Sequence, residues 1–355
     1  MLTSAPTVLI TGDAGHLGFQ VVLALKARGY RAMVLAPFAD REAAGIEVPP
    51  QTEVVNGDLC DFYRLSQIFS SHPIDAVLHF SSSHVRSARQ GRYVGQRCFQ
   101  APSQYYRNNI TGTLTLLEAM LSAGLNKLVF SSTCETYGLA AQVPIAESHP
   151  QCPINLYGAS QLAVERMLTD FDKAYSFQSV ICRSFNIAGV VPDWPLARYS
   201  ATDLISLALL TALGERPHIP LFGTDYDTPD GSCVRDYVHV CDVAMAHILS
   251  LEHLLRGGAS DVFNISNDTG VSVKQVIETV RRVTGQPIPT VERDRRPNDP
   301  PILVGNANKA RRVLRWQPQY PKLHQMVYHA WRQRHTAANC LSQDARLNQL
   351  TPEFS

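Results

Sequence analysis

From the N-terminus to about residue 190, short runs of β-branched and aliphatic residues alternate with longer stretches in which apolar positions recur at helical spacing. "TVLITG" (Thr7–Gly12) is the first short run. A glycine turn follows, and then "FQVVLALKARG" (Phe19–Gly29), an amphipathic helix closed by glycine. "YRAMVLA" and "EVVNGD" predict two strands, "FYRLSQIFSS" a helix, "AVLHFSS" a strand and "NITGTLTLLEAMLSAG" a helix. "KLVFSST" (strand), "YGASQLAVERMLTDFDKAY" (helix) and "SVICRSFNIAG" (strand) complete the series. Strands alternating with helices build βαβ units, so the pattern predicts an α/β fold with a Rossmann-type, doubly wound parallel sheet.

Beyond residue 190 the rhythm breaks, and Pro, Gly and Asp become frequent between Pro192 and Gly231. A helix near Cys241–Leu255, a strand "DVFNIS", a helix "SVKQVIETVRRVTG" and a loop "RDRRPNDPP" follow. This organisation predicts a dinucleotide-binding domain over 1–190, to which 236–265 returns. A smaller α/β substrate-binding lobe is then built from 191–235 and 266–333, with a polar tail over 334–355.

Composition narrows the class. The 355 residues are 45% hydrophobic and 18% charged, enough to bury a full-sized core. The net charge of +1 comes without a basic block, "RDRR" being too short, which argues against nucleic-acid or anionic-membrane partners. The longest apolar run, "LISLALLTALG" (Leu204–Gly214), is too short to span a bilayer. Eight cysteines without a CxxC or a His/Cys cluster point to neither zinc nor a disulfide framework. With no signal peptide visible, a cytoplasmic location fits.

"TGDAGHLG" places Gly12, Gly15 and Gly18 between a strand and a helix, as GxxGxxG. Glycines let the backbone turn sharply and approach a pyrophosphate, which sits on the positive end of the helix. The second strand of such folds usually ends in an acid that takes the ribose hydroxyls, but here "MVLAP" ends in Ala36, with Asp40 and Arg41 beyond it. NAD is the preferred cofactor, and NADP stays open because Arg41 could accept a 2′-phosphate. Asp58 in "NGDL" is a candidate partner of the adenine amine.

These motifs, with "IDAVLHFSS", "NNITGTLTLLEAM", "VFSSTCETYG", "LYGASQ", "RSFNIAG", "LFGTDYDTPDGSCVRDYVHV" and "RRPNDP", resemble the extended short-chain dehydrogenase/reductase family over nearly the whole chain. Within that family the resemblance is to the NAD-dependent nucleotide-sugar epimerases and dehydratases, those acting on UDP-sugars at carbon 4 above all. The resemblance implies an epimerase working by transient hydride transfer through a keto-sugar. It implies an NAD set of Gly12, Gly15, His16, Leu17, Gly18, Asp58, Leu59, Phe80, Ser81, Ser82, Asn109, Ser131, Tyr157, Gln161 and Phe185. For the nucleotide-diphosphate sugar it implies Asn186, Leu204, Phe222, Arg235, Arg296 and Asp299, and arginine forks suit phosphate oxygens. Where the family carries Asn before that leucine, this chain has Asp203, an unfavourable neighbour for a diphosphate. A homodimer paired through the helices near Asn109–Ala123 and Tyr157–Phe171 is also implied.

At the reacting centre the family's YxxxK motif reads Tyr157 to Gln161. A lysine four residues on shares the tyrosine's helix face and lowers the phenol pKa. Bringing an ordinary tyrosine from ~10 to about 7 is worth about 4 kcal/mol of preference for phenolate. Gln161 can hydrogen-bond ribose but supplies no charge, so weakened activation or a catalytically silent binding member are both open. Thr133 falls where the family shares the substrate hydroxyl's hydrogen bond, and Cys134 and Glu135 follow. The "TCE" triplet is similar to the dehydratase members, whose two residues after the Thr act as acid and base, so a dehydratase-type enzyme is an alternative. As plain residues, Cys134 fits a small core side chain and Glu135 a loop carboxylate. Ser83–Tyr106 reads as an insertion carrying Arg86, Arg89, Arg92 and Arg97 at the end of a sheet strand, either over the sugar or as a solvated loop. His79 and His84 read as structural.

Overall fold

The computed structural model describes residues 5–12, 15–36, 48–80, 102–192 and 203–335. Asp40, Arg41, Ser81, Ser82, His84, Arg86, Arg89, Arg92 and Arg97 lie outside the described residues, as does most of the polar tail.

Seven strands form one parallel sheet: β1 (Thr7–Gly12), β2 (Arg31–Ala36), β3 (Glu53–Asn56), β4 (Ala76–Phe80), β5 (Lys127–Thr133), β6 (Gln178–Ser184) and β10 (Asp261–Ile265), in the order β10-β6-β5-β4-β1-β2-β3. Val8, Leu9 and Ile10 of β1 are fully buried, as are Val77 and Leu78 of β4. A sheet covered on both faces demands such continuous apolar runs. Helices α1 (His16–Ala27) and α6 (Val240–Leu255) cover one face. Helices α2 (Phe62–Ser71), α3 (Gly112–Ser122) and α4 (Leu156–Tyr175) cover the other. The strand order reverses at β1, between β2 and β4, and ligands of such sheets bind at that crevice.

A four-stranded sheet joins β7 (Asn186–Ala188), β9 (Val234–His239), β11 (Gly270–Ser272) and β13 (Ile302–Leu303), while β8 (Ile219–Phe222) pairs with β12 (Thr290–Arg293). Helices α5 (Leu204–Ala212) and α7 (Val273–Thr284) and the helical residues 323–335 share a third apolar cluster there. α7 begins with a reciprocal capping box between Ser272 and Gln275. A short helix α8 (Asn308–Val313) precedes Trp316, which is fully buried.

Three details differ from the sequence pattern. "SVICRSFNIAG" is not one strand: β6 ends at Ser184, Phe185 N–H donates to Ile265 O at 3.1 Å, and β7 pairs with β9 of the smaller sheet. β9 itself runs across residue 236 within that sheet, so the chain rejoins the main body at α6 and β10. The helix expected from Asn109 starts earlier: Pro102–Tyr106 is helical and passes through a π-helical turn, Arg107–Thr111, into α3. Tyr105 anchors that start, 3% exposed. No helix among the described residues is long and apolar enough to cross a membrane.

Candidate active site

The C-terminal ends of β1, β4, β5 and β6 open on one edge of the sheet. Gly12 ends β1 with φ +91°, and a Cβ there would stand 1.9 Å from the carbonyl oxygen of Phe80 on β4. Any side chain would therefore be both strained and blocked. Gly15 opens α1, whose first turn contains no acidic side chain, and Gly18 is buried. The positive end of α1 is thus not neutralised by its own first turn, which suits a pyrophosphate approaching across the bend. His16 Nε2 lies 3.0 Å from Gly189 O. A carbonyl only accepts, so Nε2 carries the proton, and burial lowers the ring's affinity for a second one.

A hydrogen-bond relay runs beneath the bend to the helix that bears Tyr157. Thr113 Oγ1 donates to Asn109 O at 2.5 Å and so accepts from His79 Nε2 at 2.9 Å. His79 Nδ1 then accepts from Thr11 Oγ1 at 2.8 Å. His79 is fully buried, its pKa pushed down to about 3 by desolvation, and it works as a fixed neutral brace. Asn109 Nδ2 donates to Ser160 Oγ at 3.0 Å, and that hydroxyl donates to Tyr157 O at 2.8 Å.

Tyr157 is half-buried in the first turn of α4. Asn155 caps that helix, its Oδ1 accepting from Gly158 N–H at 2.8 Å. Its amide donates to Glu135 Oε2 at 2.7 Å. A Cβ on Gly158 would be 2.5 Å from Glu135 O, so α4 seats directly on the single 3-10 turn Cys134–Thr136. Thr133 ends β5 and its hydroxyl accepts from Glu135 N–H at 3.2 Å. Thr133, Glu135, Asn155 and Tyr157 therefore form one compact group. Desolvation raises the Glu135 pKa, against the lowering effects of Asn155 and Arg235, and Asp299 raises it further. Gln161, one turn after Tyr157, is fully buried.

Cys134 turns the other way. It is 4% exposed within the apolar cluster, and burial pushes its thiol far up, leaving a protonated core side chain rather than an acid facing a sugar.

On the opposite wall Arg235 of β9 forms an ion pair with Asp299 and donates to Val234 O at 2.8 Å. The Arg296 guanidinium lies 4.0 Å from the ring centroid of Phe222, at the end of β8. Leu204 begins α5 and Asn186 begins β7. Asp203 is the N-cap of α5, accepting from Ser206 N–H at 2.9 Å. A helix start favours an acid, which accounts for Asp203 without reference to a phosphate.

The other described residues of the expected cofactor set are placed as follows. Asp58 is exposed after β3 and accepts from Cys60 N–H at 2.7 Å; Leu59 lies against Gly112. Phe80 and Phe185 are buried at the ends of β4 and β6. Ser131 lies on β5 opposite Cys182, and Leu17 is half-buried in the first turn of α1. Ala36 is the last residue of β2; it is buried and its carbonyl accepts from Gly57 N–H at 2.9 Å.

Sequence reasoning missed the groups that hold the site together. Asn155 reads as an ordinary helix cap, and only its contact with Glu135 links it to the chemistry. Arg183 and Glu165 form a buried ion pair, and Glu165 also accepts from Ser132 Oγ at 2.5 Å and Gln151 Nε2 at 2.8 Å. Arg183 donates to the Tyr137 hydroxyl at 2.9 Å, which donates to Asn264 Oδ1 at 2.7 Å. An arginine inside the apolar run "SVICRS" was the available signal.

Residues 8–266 match the family described as the NAD dependent epimerase/dehydratase family. The chain is 43% identical over 326 residues, 91% of its length and 94% of the relative's, to a UDP-glucose 4-epimerase of Halalkalibacterium halodurans. It superposes with a TM-score of 0.85 at 37% identity on a crystal structure of UDP-glucose 4-epimerase, covering 94% of this chain and 98% of that one. The same TM-score, at 30% identity and with 94% and 99% coverage, relates it to UDP-glucose-4-epimerase from Stenotrophomonas maltophila with bound NAD and formylated UDP-arabinopyranose. The glycine bend, the Thr133–Tyr157 group and this full-length likeness together lead to one conclusion: the chain belongs to the NAD dependent epimerase/dehydratase family.

Proposed function

We propose that this protein is an NAD-dependent UDP-sugar epimerase that inverts a hydroxyl-bearing sugar carbon through a keto-sugar intermediate. The observation that carries the reading is the placement of Tyr157, Thr133 and the Gly12 bend at one sheet edge, with the strand of the bend joined to the Tyr157 helix by the Thr11–His79–Thr113–Asn109–Ser160 relay. Bound NAD would supply the hydride acceptor and donor for the sugar carbon. Gly12, Gly15 and Gly18 allow the pyrophosphate to approach the N-terminus of α1, and Asp58 receives the adenine amine. Tyr157 takes the hydroxyl proton as the hydride leaves and gives it back when the hydride returns. Thr133 shares that hydroxyl's hydrogen bond, and Gln161 orients the nicotinamide ribose. Arg235 and Arg296 hold the diphosphate, with Phe222, Leu204, Asn186 and Asp299 around the nucleotide. The net reaction changes no oxidation state, so no external reductant is consumed.

The test is incubation of purified protein with UDP-hexoses, NMR of the products and mass spectrometry of the cofactor released on denaturation. Expected are an epimerised hexose and one tightly held NAD. No turnover across hexoses in protein that carries NAD would defeat the reading. Such an outcome would favour the silent binding member, which the missing lysine at Gln161 makes the specific rival.

A homodimer assembled through α3 and α4 belongs to the same proposal. Tyr106, on the segment leading into α3, and Leu114, in its first turn, are 45% and 36% exposed and support it as uncovered apolar surface. Sedimentation should then give twice the chain mass of 39.2 kDa. The described cysteines are all free thiols, which favours a reducing compartment such as the cytoplasm.

A further inference from the structure

We propose that Glu135 determines sugar specificity: its carboxylate stands beside the sugar ring, accepts a hydrogen bond from a sugar hydroxyl, and rejects sugars that themselves carry a carboxylate. The inference rests on the reading of the cleft as a UDP-sugar site. It adds the residue that would hold the site to a neutral hexose rather than a uronic acid.

Position comes first. Glu135 is two residues beyond Thr133, whose hydroxyl caps its N–H at 3.2 Å. Its backbone carries the first turn of α4, where Gly158 follows Tyr157 and approaches closely enough that a Cβ would come within 2.5 Å of Glu135 O. Both residues assigned to the reacting hydroxyl therefore border it. Across the cleft the charges that act on it are Arg235 and Asp299. A sugar whose diphosphate lies at Arg235 and whose hydroxyl lies at Tyr157 must pass this carboxylate.

Orientation comes second. Asn155 donates to Oε2 at 2.7 Å while its other side-chain atom is fixed on Gly158 N–H at 2.8 Å. The carboxylate is thus held in a single pose by a group that is itself held. Oε1 has no hydrogen-bond partner among the described residues, and the residue is half-buried rather than sealed in the core. A half-buried carboxylate oxygen awaits a donor, and a sugar hydroxyl is the donor that the proposed ligand brings.

Charge comes third. Among the described residues no cation is paired with Glu135 in direct contact: Arg235, the charge that acts on it, is engaged with Asp299. Burial disfavours the ionised form while Asn155 and Arg235 favour it, and at pH above its raised pKa the wall presents an anion. A hydroxymethyl group at that wall gains a charge-assisted bond. A carboxylate in the same place meets a like charge in a partly desolvated site, a repulsive element of the kind that sets specificity.

The test compares UDP-glucose, UDP-glucuronate and UDP in calorimetric binding and in turnover, using the NAD-loaded protein and Glu135→Gln. Glutamine keeps the shape and can still accept from Asn155, but it removes the charge and turns a donor toward the sugar. The native protein should prefer the hexose, and Glu135→Gln should shrink the hexose-to-uronate affinity ratio by at least about tenfold. UDP affinity should move by less than about twofold, since the nucleotide does not reach this wall. An unchanged ratio with UDP still bound overturns the specificity role and leaves the UDP-sugar reading standing. Failure of the native protein to bind UDP brings down that reading and the inference with it. Should the glutamine variant not fold, Glu135→Ala gives the same readout, because it leaves the backbone seat of Gly158 untouched.

Discussion

Arg183 on β6 and Glu165 on α4 face each other in the protein interior, with Nη2 to Oε2 at 2.7 Å and both side chains almost wholly removed from solvent. Glu165 lies two helical turns beyond Tyr157, so the pair fixes the rotation of the helix that presents the phenol. Ser132 of β5 joins through its hydroxyl, tying α4 to two adjacent strands. Such a pair adds little net stability over a well-packed apolar substitute, yet breaking it strands a buried charge.

Glu165→Ala should therefore destabilise the fold by about 3–5 kcal/mol in urea titration. The double variant Glu165→Leu/Arg183→Met should recover much of that loss. A single variant within 1 kcal/mol of native, on the scale of ordinary surface changes of about 0.5 kcal/mol, would deny the pair its role.

Gln161→Lys should restore a positive charge one turn from Tyr157. A cation near a phenol favours phenolate, and at an effective dielectric of about 20 and about 5 Å the effect is roughly two pH units. The basic-side rise of kcat with pH should move downward by that amount, with a rate gain of about 100-fold at neutral pH. A profile that stays in place, in protein that still holds NAD, would mean that the phenol is not the group being titrated.

Arg235→Ala should weaken UDP binding by about 10- to 100-fold in calorimetry, since a charge-assisted contact to a diphosphate is lost. Arg235→Lys should recover only part of it, because a point charge does not reproduce the planar fork. Arg296→Ala should cost less, its guanidinium being stacked on Phe222. Equal UDP affinity in native protein and Arg235→Ala would move the diphosphate elsewhere.

His79 should remain neutral through the physiological range. Its folded pKa of about 3 lies below the ordinary 6.5, so the unfolded chain binds the extra proton between those values. The sign follows: its contribution is intact above pH 6.5 and is lost as pH falls toward 3, reaching about 2 kcal/mol at pH 5. In the folded protein its ring resonances should not titrate between about pH 5 and 8, since the folded pKa of about 3 lies below that range. A midpoint near 6 would show that the Thr11–His79–Thr113 relay is open to water.

The alternation of strand and helix, the glycine bend and the reacting-centre motif were legible because each is a local demand on the chain. A central parallel strand needs an unbroken apolar run, so β1, β4 and β5 could be placed from Val8–Ile10, Ala76–Leu78 and Leu128–Phe130 alone. Only glycine tolerates φ +91° against a neighbouring carbonyl, so Gly12 announced itself. Sequence alone therefore determined the sheet, its cofactor edge and the presence of Tyr157, Thr133 and Gln161. It did not determine which polar residues meet. Asn155 and Glu135 are 20 positions apart, Arg183 and Glu165 18, and Arg235 and Asp299 64. Hydrogen bonds and ion pairs act over a few ångströms, whereas residue order sets only the length of chain between partners. That physical gap is why the split of "SVICRSFNIAG" between two sheets, the capping role of Asp203 and the inward turn of Cys134 were decided by the tertiary structure.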